Sequence, residues 1–234
     1  MLLTGLPISP SHAAEPPSVA SVAIEPAKEE AVDLSKPATT PAPKEEEESW
    51  LTAPSERRCG FTLGLGLGGL VGAASGYPND ALEIDREAYL TETGVSAGGS
   101  AGLWFGIALT DWFGVGLGAG FGSLTGPDHQ TGFTSFGFHL DAYPAFAAGG
   151  AWRDLGLAIE AGLGFMQTTP SDDPDTILME SGAASRLAVG GFWEGIRPWK
   201  LGMGPFAMVD TMWSPSGSRP GGWFGWRINF YAGP

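Results

Sequence analysis

Histidine is the side chain best suited to acid–base work near neutral pH, and this chain has three, His12, His129 and His139. Nucleophilic catalysis needs a serine, cysteine or threonine beside such a base, with a third group orienting the base. His12 lies in a short N-terminal apolar stretch. His129 follows Asp128 between two segments of regular alternation. His139 has Ser135 four residues before it and Asp141 two residues after it. Ser135 and His139 share the inner face of one strand, but no nucleophile stands directly beside a base with a third residue to orient it, and the single Cys59 permits no internal disulfide and is read as an inert thiol. The remaining chemistry-bearing residues are charges scattered singly through apolar surroundings: Glu160, Arg186, Asp210 and Arg227. Isolated charges of both signs in greasy segments suit ion pairing better than catalysis, because an unpaired buried ion costs several kcal/mol.

The elements that hold these charges are strands. Residues 113–122 read Phe-Gly-Val-Gly-Leu-Gly-Ala-Gly-Phe-Gly, five apolar residues alternating with five glycines at the two-residue period of a strand. The same alternation predicts strands near 60–74, 97–109, 113–124, 132–147, 154–168, 182–195, 199–213 and 222–232. One face of each is uncharged, as in Leu103/Phe105/Ile107/Leu109 and Phe224/Trp226/Ile228/Phe230. The other face carries the glycines and the single charges. No helical pattern exists to cover the greasy faces. Lipid can cover them, and a sheet in lipid must close on itself so that no edge N–H or C=O lacks a partner. The fold predicted is all-β: an eight-stranded antiparallel transmembrane up-and-down β-barrel with a disordered N-terminal segment. A water-soluble barrel would turn its apolar face inward and its charges outward, the reverse of this pattern.

Only Gly5 of the 37 glycines precedes Cys59, so composition changes sharply there. Residues 1–14 (MLLTGLPISPSHAA) read as the remnant of a signal peptide, with Ser11-His12-Ala13 matching the small-residue pattern before a cleavage site. Residues 15–58 are rich in proline and carry the run Glu45 to Glu48. They read as a disordered, acidic periplasmic tether, because such a segment buries too little surface to offset its ordering entropy. Of the net charge of −14, three basic and nine acidic residues in 1–50 account for −6. That balance argues against nucleic acid as a partner.

Loop lengths orient the barrel. Tight turns are expected at 110–112, 148–153 and 196–198, long loops at 75–96 and 169–181, and medium ones at 125–131 and 214–221. Tight turns belong on the periplasmic side with both termini, and long loops outside. Trp112, Trp152 and Trp199 fall at the tight turns, while Trp213 and Trp223 flank the last outer loop, where interfacial aromatic girdles are expected.

Residues 59–234 resemble the eight-stranded outer-membrane barrels typified by outer membrane protein A. The C-terminal Gly225-Trp226-Arg227-Ile228-Asn229-Phe230 follows the glycine, apolar and aromatic pattern that the family's last strand shows to the barrel-assembly machinery, so Gly225, Ile228 and Phe230 are read as an assembly signal. The resemblance implies an outer-membrane location, lipid and lipopolysaccharide as surroundings, and a monomer. It also brings in the barrels that edit lipid A with histidine beside serine or an acid near the outer rim. No such pair faces lipid here, so the chain is read as a non-enzyme without cofactor or metal.

An eight-stranded barrel is just wide enough for side chains to fill its interior. Alternation turns Trp104, His139, Asp141, Glu160, Arg186, Asp210 and Arg227 inward. A lateral ladder His139, Glu160, Arg186, Asp210, Arg227 is expected, with Trp104 lying across the bare glycines of the first and third strands. The function expected is structural, adhesive or surface interaction, with the lumen plugged by this polar network. A small pore is the alternative, and a lipid A-modifying enzyme a further one. The acidic outer loops, with Asp80, Glu83, Asp85, Glu87 and Glu92 in the first and Asp172, Asp173, Asp175 and Glu180 in the third, read as a solvated surface, with weak divalent-cation bridging to lipopolysaccharide phosphates as the alternative.

Overall fold

The structure is a computed structural model that describes residues 58–233. The segments read as a signal remnant and as a tether lie outside the described residues, apart from Arg58. Eight long strands follow one another: β1 (Gly60–Gly72), β2 (Ser96–Thr110), β3 (Phe113–Thr125), β4 (His129–Ala142), β5 (Leu155–Pro170), β6 (Ala184–Trp193), β7 (Leu201–Ser214) and β8 (Gly217–Tyr231). Each pairs antiparallel with the next, and β1 pairs with both β2 and β8, so the sheet closes. Leu65, for example, stands opposite Leu103 on one side and Ile228 on the other. Closure leaves no edge in the strand wall, which is the condition for crossing a bilayer with strands.

Alternation decides what faces where. Phe61, Leu63, Leu65 and Leu67 on β1, Leu103 to Leu109 at odd positions on β2 and Phe136 and Phe138 on β4 are exposed on the outer wall. Trp104, His139, Ala158, Arg186, Phe192, Met208, Asp210 and Arg227 are buried inside. Two glycines make the interior fit. A side chain at Gly64 would collide with the Trp104 indole, and a Cβ at Gly102 would come within 2.8 Å of the Trp223 ring. The bare backbone is the floor on which both indoles lie.

Two connections and one tryptophan differ from the sequence expectation. The medium outer loop 214–221 is a tight hairpin: Ser214 pairs with Gly217 and β8 already runs from there. The tight turn expected at 148–153 is longer and runs from Tyr143 to Asp154, because β4 ends at Ala142. It contains the 3-10 turns Phe146–Ala148 and Gly150–Asp154. Pro144 cannot donate to a ladder, so it does not extend a central strand. Trp223, expected in an interfacial girdle, is instead inside the lumen at 4% exposure, packed edge-on against Phe206. Trp112, Trp152, Trp199 and Trp213 are exposed on the wall or its rims.

The two long outer connections fold over the upper mouth. Ser75–Gly76 adds to the start of β8 and pairs in turn with Thr91–Glu92, while Met179–Glu180 adds to the end of β5. The two are tied together: the Glu180 N–H donates to Tyr77 O at 3.2 Å, and the Ser216 hydroxyl donates to Glu180 O at 2.8 Å. Beneath them Leu70, Leu124, Phe133, Met166, Met179 and Met212 form an apolar layer across the upper lumen. Methionine suits this place because its flexible side chain fills irregular gaps.

Candidate functional site

The lumen beneath that apolar layer is charged. Even positions of β5, β6 and β7 and odd positions of β4 and β8 point inward, so charged residues placed at these positions meet in one narrow space. From the upper end, Arg219 lies 2.5 Å from Asp210, Asp210 lies 3.6 Å from Arg186, and Arg186 lies 2.6 Å from Glu160. The His139 ring joins next, with Nδ1 3.0 Å from Glu160 and Nε2 3.2 Å from Asp141. Asp141 accepts a forked pair from Arg227, whose Nε also lies 3.0 Å from Glu194. Glu194 stands 3.9 Å from Arg58, Arg58 donates to Asp154 at 2.5 Å, and Asp154 stands 3.7 Å from Arg197 at the lower mouth. With the His139 ring protonated, the charges alternate in sign at every step along this chain.

Of the five residues assigned to a lateral ladder, the structure links His139, Glu160, Arg186 and Asp210 in that order. Arg227 does not continue from Asp210. It sits lower and pairs with Asp141 and Glu194, while Arg219 takes the place beside Asp210. Facing follows from the two-residue period, but level depends on the tilt and stagger of the strands, which alternation does not encode. Among the residues of the assembly signal, Ile228 is on the outer wall and Gly225 on the inner one, with its neighbour Gly68 of β1 too close for a Cβ. Phe230 lies near the lower rim against Trp199.

Two residues at the centre of the lower lumen were missed. Glu194 is fully buried just after β6 and accepts hydrogen bonds from the Tyr143 and Tyr231 hydroxyls, both at 2.7 Å, and from Asn229 Nδ2 at 2.6 Å. Its even position, continuing the inward parity of Arg186 and Phe192, was a usable signal. Arg58 carried no such signal, because it precedes the first strand. Its backbone N–H donates to Asp111, and its guanidinium enters the lower mouth and lies 3.8 Å above the Tyr143 ring. Burial works against the Arg58 charge, but Tyr143, Tyr231, Glu194 and Asp154 outweigh it and hold the pKa above its usual value. Burial, with Arg58 close by, pushes Arg197 the other way. Burial also drives the Tyr143 phenol well above its ordinary range, and Glu194 adds to this, so the hydroxyl remains a donor.

Aromatic rings pack the charges from the side. Trp104 stacks on His139 with centroids 4.7 Å apart and planes 14° off parallel, and the Arg227 guanidinium lies 3.6 Å from the Phe192 ring centre. The cavities beside the chain hold about 20 Å³ near Asp141 and about 10 Å³ near Trp223 and near Ser135, which is room for single waters. An open groove of about 710 Å³ runs along the wall between Leu67, Phe121 and Phe165 and has no charged residue in its lining. The described residues hold no cluster of three or more histidine, cysteine or acidic side chains arranged for a metal.

A closed antiparallel barrel with an apolar outer belt and the charges of its wall turned into the lumen is a membrane-spanning barrel of the outer-membrane type. Comparison with protein-family models finds no match, and neither does comparison with curated protein sequences. Among solved structures the chain is similar to Ail, the attachment invasion locus protein of Yersinia pestis, with a TM-score of 0.42 and 9% identity, over 73% of this chain and 99% of that one. It is also similar to the N-terminal β-barrel domain of Pseudomonas aeruginosa OprF, with a TM-score of 0.40 and 16% identity over 72% and 97%. The outer membrane protein OprG from Pseudomonas aeruginosa gives a TM-score of 0.40 and 12% identity over 75% and 98%.

Proposed function

We propose that this protein is a monomeric outer-membrane barrel whose role is structural, adhesive or surface-interacting, exerted through its outer loops, with the lumen closed by the polar network. The observation that supports this most is the alternating-sign chain from Arg219 to Arg197, wedged by Trp104 and Trp223, with only water-sized gaps beside it. A hydrated ion has no path through such a space without breaking several ion pairs in a low-dielectric setting, each costing several kcal/mol. The apolar layer of strand side chains and Met179 beneath the folded-over outer connections lies above it.

Lipid and lipopolysaccharide surround the apolar belt in this reading. The barrel-assembly machinery inserts the chain, with Gly225, Ile228 and Phe230 as its recognition pattern. Planar bilayer recording tests the closed lumen: purified protein gives no discrete conductance steps, and steady steps in the wild-type protein would replace the plug with a small channel. Release of fatty acid from lipid A by the purified barrel would replace both with an enzyme.

A further inference from the structure

The outer connections form a fixed platform rather than two independent loops. Residues 73–95 and 171–183 are joined to the strand ends by backbone pairs at Ser75–Gly76 and Met179–Glu180, with Thr91–Glu92 paired to Ser75–Gly76, and to each other by the Glu180 N–H donating to Tyr77 O. Gly182 also packs on the Asn79 side chain, and Met179 is fully buried beneath. Above this base, successive tight turns hold residues 80–90, with Ile84 N–H donating to Asp80 O, Tyr89 N–H to Arg86 O and Leu90 N–H to Glu87 O. A surface ordered in this way loses little conformational freedom on docking.

Large apolar side chains are left uncovered on it. Leu82 is 71% exposed, and Tyr89, Leu90 and Ile177 are all more than a third exposed. The Thr91 hydroxyl donates to Leu178 O at 3.4 Å, which sets Leu90 and Ile177 on either side of one contact between the two segments. The same two segments carry Asp80, Glu83, Asp85, Glu87 and Glu92 in the first and Asp172, Asp173 and Asp175 in the second. Arg86 is the single basic residue of both. The lipid-facing belt is elsewhere on the molecule, on the strand walls.

We propose that this platform docks a cationic amphipathic polypeptide segment, one that places lysine or arginine on the carboxylate rim and apolar side chains on Leu82, Tyr89, Leu90 and Ile177. The inference rests on the surface-interaction reading above and names the chemistry of the partner. Charge complementarity selects the sign: a rim of eight carboxylates repels acidic or polysulfated partners and steers basic ones. The exposed apolar centre supplies the desolvated contact that a solvated acidic face lacks.

The test uses the full chain in phosphatidylcholine nanodiscs, with empty nanodiscs as the control. Three fluorescent synthetic peptides of equal length are compared: lysine–leucine amphipathic, lysine–serine, and glutamate–leucine amphipathic. The lysine–leucine peptide binds in excess over empty discs, and raising salt from about 50 to about 500 mM weakens that binding roughly tenfold or more. Leu82→Ser with Ile177→Ser, on the unchanged carboxylates, lowers the affinity at least about fivefold. Equal binding of the lysine–serine peptide, or no effect of the two serine substitutions, would show counterion attraction alone and overturn the proposal. No excess binding by the lysine–leucine peptide would also overturn it. Heat-modifiable migration and surface proteolysis of each variant report separately whether the barrel is folded and its loops exposed, so failure of the surface reading itself is recognised independently.

Discussion

Arg227 on β8 forks onto Asp141 on β4 across the lumen, its Nη2 2.6 Å from Oδ2 and its Nη1 3.2 Å from Oδ1. The same guanidinium lies against Glu194 and over the Phe192 ring, so it joins two sides of the barrel that share no hydrogen-bonded ladder. Arg227→Met takes the shared guanidinium from two buried carboxylates, leaving Asp141 the His139 ring at 3.2 Å and Glu194 only the more distant Arg58 at 3.9 Å. Loss of one partner from a buried pair costs about 3–5 kcal/mol, so the temperature at which the folded form opens in detergent falls clearly. Adding Asp141→Leu recovers part of the loss, because one stranded charge is removed with it. Thermal conversion followed on unboiled gels measures both variants.

Glu194 collects more donors than any carboxylate of the ladder expected from the sequence: two tyrosine hydroxyls, the Asn229 amide and the Arg227 guanidinium. Glu194→Ala removes the acceptor that gathers them, leaving only the contacts among Tyr143, Tyr231 and Asn229 and the Arg227 fork onto Asp141, and separates Arg58 from the chain. It should destabilise the barrel at least as much as Arg186→Met, which takes one cation from Glu160 and Asp210 but leaves them His139 and Arg219. Equal heat stability of Glu194→Ala and the wild type would remove the lower network from the account.

Trp104→Ala opens the space between the glycine floor of β1 and His139. Truncating a buried aromatic costs about 3–5 kcal/mol, and the freed volume admits water. The variant is expected to lower heat stability and to show conductance in planar bilayers where the wild type shows none. A silent lumen in Trp104→Ala would show that the ion pairs close it without the indole.

Met179 ties the third outer connection to the barrel from a fully buried position beside Gly76 and Gly217. Met179→Ala removes about 2–5 kcal/mol of packing at one place. Protease cleavage within 171–183 should then accelerate while the strand core stays protected. Unchanged cleavage would mean that the backbone pairs alone hold the platform.

The two-residue period was enough to read the eight strands and their inner and outer faces, because a single parity error would have turned charges into lipid. Strand ends were harder. Gly217 to Gly221 reads as a loop from its glycine, serine and proline content, yet it is paired along β7, and Arg219 therefore entered the lumen unnoticed. Trp223 was misplaced for the same reason. In the lumen, the inward facing of His139 and Glu160 follows from alternation, whereas the partnership of Arg227 with Asp141 depends on how far opposite strands are staggered. Arg58 belongs to no strand, and only the path of the chain across the lower mouth brings it to Asp154.

The central claim is a closed barrel with its greasy face in lipid, and the most direct test is electrophoretic migration of boiled against unboiled protein from purified outer membranes. A closed barrel stays folded in detergent until heated, so the account predicts a shift in apparent size between the two samples. A single unshifted band, with the protein recovered in the soluble fraction, would mean that the apolar faces meet protein rather than lipid and would contradict the account.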